Sequence, residues 1–279
     1  MSETTRHDLP HLPRAASLLG AVFARPKALA VLCVVALTAL GWLALGLIAA
    51  GMGTVEAFCH ALGPSSWDAG AFALAALMWA AMTLAMMLPS AAPMILTYAE
   101  IADTAAAKGE RIVSPFILAA GYALIWLGFA FVATLAQLAL TRAALMDSGM
   151  QSASGLFSGA IFVAAGVYQF SALKHACLTR CQSPFPFFFT NWATTRRGVF
   201  RLGVKQGLYC LGCCWAMMLV MFAVGVMNVL WMAGLGVVMT LEKMGSGKRL
   251  TYALGVALIA GGIAFIVAAF VAHWPLHAT

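Results

Sequence analysis

Apolar residues in this chain come in long runs, separated by short polar stretches. The runs lie near residues 28–51, 69–97, 114–141, 153–173, 203–225, 227–242 and 250–272, and nearly every position in them is Ala, Leu, Val, Ile, Phe, Met or Gly. A membrane-spanning helix needs about 20 such residues, within a range of about 17–25. The pattern therefore predicts about seven helical spans. Pro89 and Pro93 interrupt the second run and predict a kink or break there. The sixth run is short and follows the fifth through residues 225–228, a tight turn or a re-entrant bend. The fold class expected is all-α, a polytopic transmembrane helix bundle. Its parts are a polar cytoplasmic tail at 1–27, one helical domain at 28–272 with an aromatic and basic insert at 174–202, and a tail at 273–279.

Composition agrees with a lipid solvent. Of 279 residues, 63% are hydrophobic and 9% charged, with a mean hydropathy of +0.94. A soluble domain is about 25% charged. No small-residue cleavage site follows the first run, so it reads as a retained span and not a signal peptide. The net charge of +7 tests the layout. With the N-terminus in the cytoplasm, fifteen of the sixteen Lys and Arg residues fall on one side and only Arg142 falls on the other. That is the positive-inside asymmetry of an N-in, C-out protein. No recognition module interrupts the apolar runs, so nucleic acid is not an expected partner.

The candidate chemistry is sulfur. Cys210, Cys213 and Cys214 lie in LYCLGCCWAMMLVMF, followed by Met217, Met218 and Met221. On a helix turning about 100° per residue, with Cys210 as zero, Met217 falls near about −20° and Met221 near about +20°. Cys214 falls near about +40° and Cys213 near about −60°, so five sulfurs share one face over about 16 Å of rise. In the second run Met78, Met82 and Met86 step by four into another stripe, while Met87 and Met94 lie on the other face. Thiolates and thioethers are soft ligands that select Cu(I), and thiolates also take Zn(II). Met is equally a flexible core filler.

A second thiol pair, Cys177 and Cys181, follows the fourth run and shares a helix face at i and i+4. Lys174 and Arg180 beside it favour thiolate. His175 joins the candidate ligands, although on a continued helix it points elsewhere. If the helices run straight, this pair lies about 12 Å or more below Cys210, making two stations and not one site. Residues 183–192, SPFPFFFTNW, predict an interfacial or re-entrant segment that could cover the pair from below. Cys33 and Cys59 read as packing, and Cys59-His60 is a weak outer-side metal candidate. Gln206, one turn before Cys210, reads as an interhelical hydrogen bonder, and Asn228 as an amide in need of a partner. Glu242-Lys243 reads as an inexpensive charged helix end, and His273 and His277 as a solvated tail.

These pieces resemble a known family. They are Trp79, Met82, Met86, Met87 and Pro89; CLTRC-x-SP; GLYCLGCCW-x-MM; Gly225, Met227, Asn228, Trp231 and Met232; and Glu242-Lys243. Together, over roughly residues 70–245, they are similar to a bacterial family of predicted metal-binding integral membrane proteins sometimes labelled copper chaperones. The resemblance implies a multi-span protein of the bacterial inner membrane tied to a metal, copper above all. Relatives often carry His where this chain has Gln206.

The function expected is binding and transfer of Cu(I), with zinc as the alternative metal. Cys210, Cys213 and Cys214 are the principal ligands, and Cys177 and Cys181 stand at the cytoplasmic mouth. Met217, Met221, Met82 and Met86 form the exchange path. Expected partners are the lipid bilayer and a copper chaperone or cupro-oxidase assembly protein. No nucleotide motif is present, which argues against ATP-driven pumping by this chain alone, and the chain reads as a non-enzyme. Two other readings stand beside this one: a membrane thiol oxidoreductase using the cysteine pairs, and an assembly scaffold whose sulfurs only pack.

Overall fold

A computed structural model describes residues 26–50, 69–109, 112–143, 145, 154–226, 228–245 and 248–273. Among them there is no strand. The helices are α1 (Pro26–Ala50), α2 (Ala69–Ala107), α3 (Pro115–Arg142), α4 (Gly155–Tyr168), α5 (Ala172–Gln182), α6 (Pro184–Thr190), α7 (Arg196–Val224), α8 (Val229–Met244) and α9 (Arg249–His273). The chain is an all-helical bundle, as its hydropathy predicts. Cys59, His60, Met227 and His277 lie outside the described residues.

By length and composition, five helical segments are apolar enough to cross a membrane, and α4 with α5 makes a sixth if their 64° bend lies within one span. The seventh expected span is α8. It has 16 residues and rises about 24 Å, less than the roughly 30 Å of a hydrocarbon core. Only 17% of the residues in the apolar windows of α1 and of α9 are buried. Leu40, Leu43 and Leu47 of α1 and Val256, Phe270 and Val271 of α9 face outward, a surface suited to lipid. In α7, by contrast, 61% are buried, making it the central helix.

Local chemistry sets several helix starts. Ser114 precedes Pro115 at the first position of α3, and Thr195 accepts the Gly198 N–H at 3.1 Å to cap α7. Asn228, the amide expected to need a partner, accepts the Trp231 N–H at 3.2 Å and caps α8. The turn before it uses Gly225 at φ +102°, a backbone region that favours glycine.

Of the kink or break expected at the prolines, the break does not occur: α2 is one helix of 39 residues with Pro89 and Pro93 inside it. Pro89 has no N–H for the carbonyl four residues earlier, that of Ala85. Trp42 Nε1 of α1 donates to that carbonyl at 3.0 Å. Gly41 permits the approach, since a Cβ there would stand 3.0 Å from the Ala85 nitrogen.

Small residues bring other helices into backbone contact, as membrane helix packing favours. Where α3 crosses α7, a Cβ on Gly203 would collide with the Leu118 carbonyl oxygen, and one on Gly121 with that of Phe200. Between α4 and α9, Gly159 and Gly262 face each other so closely that a Cβ on either would meet the other's carbonyl oxygen at 2.7–2.8 Å. A Gly203→Ala variant should therefore lose about 1–3 kcal/mol, the usual cost of over-packing, read as a lowered unfolding midpoint in detergent. Gly128 has open space around its Cβ position, and Gly128→Ala should stay within about 0.5 kcal/mol of the parent.

Candidate metal centre

The central helix carries the cysteine stretch into the interior. Cys210, Cys213 and Cys214 are 3%, 1% and 1% exposed. The Cys213 and Cys214 sulfurs lie 3.4 Å apart, and the cysteines of the described residues are free thiols.

Cys181 reaches this group from α5, with its sulfur 3.9 Å from that of Cys213. The straight-helix expectation of a gap of about 12 Å is thereby corrected, and the cause is the bend. After α4, the amides of Gln169, Phe170 and Ser171 bond three residues back, to Gly166, Val167 and Tyr168. This tightens the helix end. Ser171 then accepts the Lys174 N–H at 3.1 Å and caps α5, which leaves at 64° and packs along α7. Cys177 and Cys181 both turn toward α7. Cys177 fits against Gly212, where a Cβ would stand 2.6 Å from its sulfur.

Side chains lock α5 in place. Arg180 Nη1 donates to the Tyr209 hydroxyl at 3.0 Å and lies 5.3 Å from that ring's centre. Tyr168 donates to the Gly212 carbonyl. Lys174 Nζ pairs with Glu242 at 2.9 Å, both fully or nearly buried, and Gln182 Nε2 donates to the Glu242 carbonyl at 2.7 Å. Of the two cations expected to act on the thiol pair, Lys174 is taken up by Glu242, while Arg180 bonds Tyr209 and its charge still acts on Cys177. His175 packs on Tyr252 of α9, ring centres 5.4 Å apart, not on the α7 face that receives the thiols. The aromatic segment forms α6. There Phe187 meets Tyr209 at 6.2 Å and Phe188 meets Tyr98 at 5.5 Å.

Cys210 has a different neighbourhood. Lys243 Nζ lies 2.9 Å from its sulfur and donates to Ser90 Oγ at 2.7 Å. The Tyr122 hydroxyl is 3.0 Å from the same sulfur and 3.3 Å from the Met87 carbonyl. Lys243 is 6% exposed and Glu242 3%, so the reading of this pair as a charged helix end is corrected: both lie inside the bundle. Lys174, counted from the sequence among cytoplasmic loop charges, is 0% exposed. Sequence reasoning missed Tyr122 and Ser90 and undervalued Lys243. The available signal was an ionisable residue closing an apolar helix, which in a membrane is a functional candidate by default. Gln206 is buried as expected, but its Oε1 has no hydrogen-bond partner.

The methionines are buried between two clamps. Tyr122 ties the Met87 carbonyl to Cys210, and Trp79 packs on Phe222 with ring centres 5.2 Å apart and planes tilted by 34°. These contacts set α2 and α7 antiparallel, with Met82 and Met86 on one and Met217 and Met221 on the other between the same two levels. All four are at most 1% exposed. Met86 also faces α8, where a Cβ on Gly236 would lie 3.5 Å from its side chain.

Among the described residues no group of three or more His, Cys, Asp or Glu side chains is arranged to hold a metal ion. What the site offers is close pairs of soft thiols with thioethers along the same helices. Soft sulfur suits Cu(I), whereas a structural zinc site closes four ligands around the ion.

Curated proteins and solved structures yield no match to the chain. A family model described as PpoB2, copper chaperone, matches residues 76–265, from α2 into α9. With most of its 279 residues inside that match, the chain belongs to the PpoB2 copper chaperone family.

Proposed function

We propose that this protein binds Cu(I) inside the bacterial inner membrane and passes it on, across the bilayer or to a cupro-enzyme under assembly. The observation that carries the reading is the meeting of Cys181 with Cys213 at 3.9 Å, which joins two separate sequence motifs in one buried sulfur group. Cys213, Cys214 and Cys210 are the principal ligands. Cys181, half-buried, and Cys177 receive or release the ion at the cytoplasmic mouth of an N-in protein. Beyond them Met217, Met221, Met82 and Met86 supply weaker thioether ligands, suited to an ion that must move on. Ion exchange with a soluble copper chaperone or a cupro-oxidase assembly protein completes the role.

Metal content of the full chain, purified in detergent under reducing conditions, tests the reading. About one copper per chain is expected, lost in Cys213→Ala/Cys214→Ala and kept in Cys33→Ala. Cys181→Ala should weaken Cu(I) retention against a chelator on the order of tenfold or more, at least the effect of losing an outer-shell partner. Zinc in place of copper, or no metal, overturns the copper reading.

The same 3.9 Å contact favours a thiol oxidoreductase as the second reading. In it Cys181 and Cys213 give up two thiol protons and two electrons to a quinone, forming one S–S bond and one quinol. Stopped-flow quinone reduction with mass spectrometry of the cysteine pair checks this. Quinol formed in step with a Cys181–Cys213 bond supports it, and an unreduced quinone removes it.

A further inference from the structure

The first turns of α7 carry a stripe of cations. Arg197, Arg201 and Lys205 are exposed and lie four residues apart. On a helix they fall within about 80° of one another, and Leu208 and Gly212 fall inside the same arc. The face therefore runs from the start of α7 to Gly212, the recess that holds Cys177. Beside it Arg180, also exposed, bonds Tyr209 at 3.0 Å and adjoins Cys181, the half-buried thiol. Among the described residues none of Arg197, Arg201 and Lys205 forms an ion pair. Residues 206–224 of α7 hold no charge and rise about 28 Å, close to the roughly 30 Å of a hydrocarbon core. Lys205 then stands at the edge of the core, with Arg201 about 6 Å and Arg197 about 12 Å farther out. A headgroup layer is about 5–8 Å deep on each side, so Arg197 clears it. Lipid phosphates reach the inner part of the stripe, and a partner that spans all of it comes from the water.

We propose that Arg197, Arg201 and Lys205 are the docking surface for an acidic soluble protein that carries Cu(I), and that they set it down beside Cys181. The inference rests on the copper reading above and its N-in layout. Three like charges on one open face attract a surface of the opposite sign. They raise the rate of encounter and fix the register of docking more than they change how tightly the ion is held. The face leads toward the thiols, so a carrier seated on it meets Cys181 first and Cys177 behind it. In the transfer, a metal–sulfur bond to the carrier breaks as one to Cys181 or Cys177 forms. The proton of the receiving thiol goes to the departing thiolate, and no electron moves.

The probe is a pair of synthetic peptides, each holding Cu(I) on one Cys-x-x-Cys motif, one flanked by glutamates and the other by lysines. Transfer to the full chain in uncharged detergent, without oxygen, is timed by rapid mixing and copper analysis of the separated protein. The glutamate peptide should deliver at least about tenfold faster at low ionic strength, within the range of electrostatic steering. The advantage should fall as salt shortens the screening length to about 8 Å at about 0.15 M. In Arg197→Gln/Arg201→Gln/Lys205→Gln it should shrink to within about threefold, with Cu(I) affinity against a chelator unchanged. Arg197→Glu/Arg201→Glu/Lys205→Glu should reverse the preference. Equal delivery to the parent by the two peptides overturns the proposal, as does an advantage that survives in both triple variants. So does a parent without peptide preference that retains phosphatidylglycerol over phosphatidylcholine in native mass spectrometry, where the glutamine variant does not: the stripe then belongs to lipid. A parent that takes no Cu(I) from a chelator fails the copper reading itself, and the proposal with it. A parent that loads from the chelator but is indifferent to peptide charge fails only the docking surface.

Discussion

Four helices meet at the sulfur of Cys210. Lys243 reaches it from α8 and Tyr122 from α3, and each of those side chains continues to α2, one at Ser90 and the other at the Met87 carbonyl. Water is scarce at such a place, so each polar group must find its partner in the protein. The four-way contact fixes the height at which α8 ends and the segment of α2 that faces α7. It also explains why an ammonium can sit there: a hydroxyl and a sulfur surround it, while the neighbouring carboxylate is occupied by Lys174.

Two further constraints position the thiols around that node. Glycines at the α3–α7 crossing let the backbones touch, which brings Tyr122 within reach of Cys210. The bend between α4 and α5 turns a second cysteine motif against the first, with Gly212 forming the recess for Cys177. Neither device adds a ligand. The first seats the Tyr122 hydroxyl on Cys210, and the second shortens the distance between thiols that α5 and α7 already carry.

The helical elements were legible in the apolar runs, because hydropathy reports burial in lipid one segment at a time. The sulfur face of α7 was legible too, since Cys210 and Cys214 follow from helical periodicity alone. The approach of Cys181 was not. It depends on amides three residues apart closing a turn at Gln169–Ser171, and an apolar run gives no sign of where a helix bends. Pro89 fails to break α2 for a related reason: the partner of the Ala85 carbonyl it leaves open is a tryptophan in another helix, 43 positions before Ala85. Lys243 and Lys174 looked like loop cations because a count of basic residues carries no information on pairing. Their burial depends on Ser90, Cys210 and Glu242, each distant in sequence.

The bond from Trp42 to Ala85 crosses the edge of the matched segment. α1 spans residues 26–50, outside the 76–265 segment that the family model matches. Yet α1 supplies the donor for a carbonyl that a proline within that segment leaves open. The matched segment is therefore not self-sufficient in this chain: a helix outside it splints its neighbour at the proline, and tilting α1 away would leave the Ala85 carbonyl open.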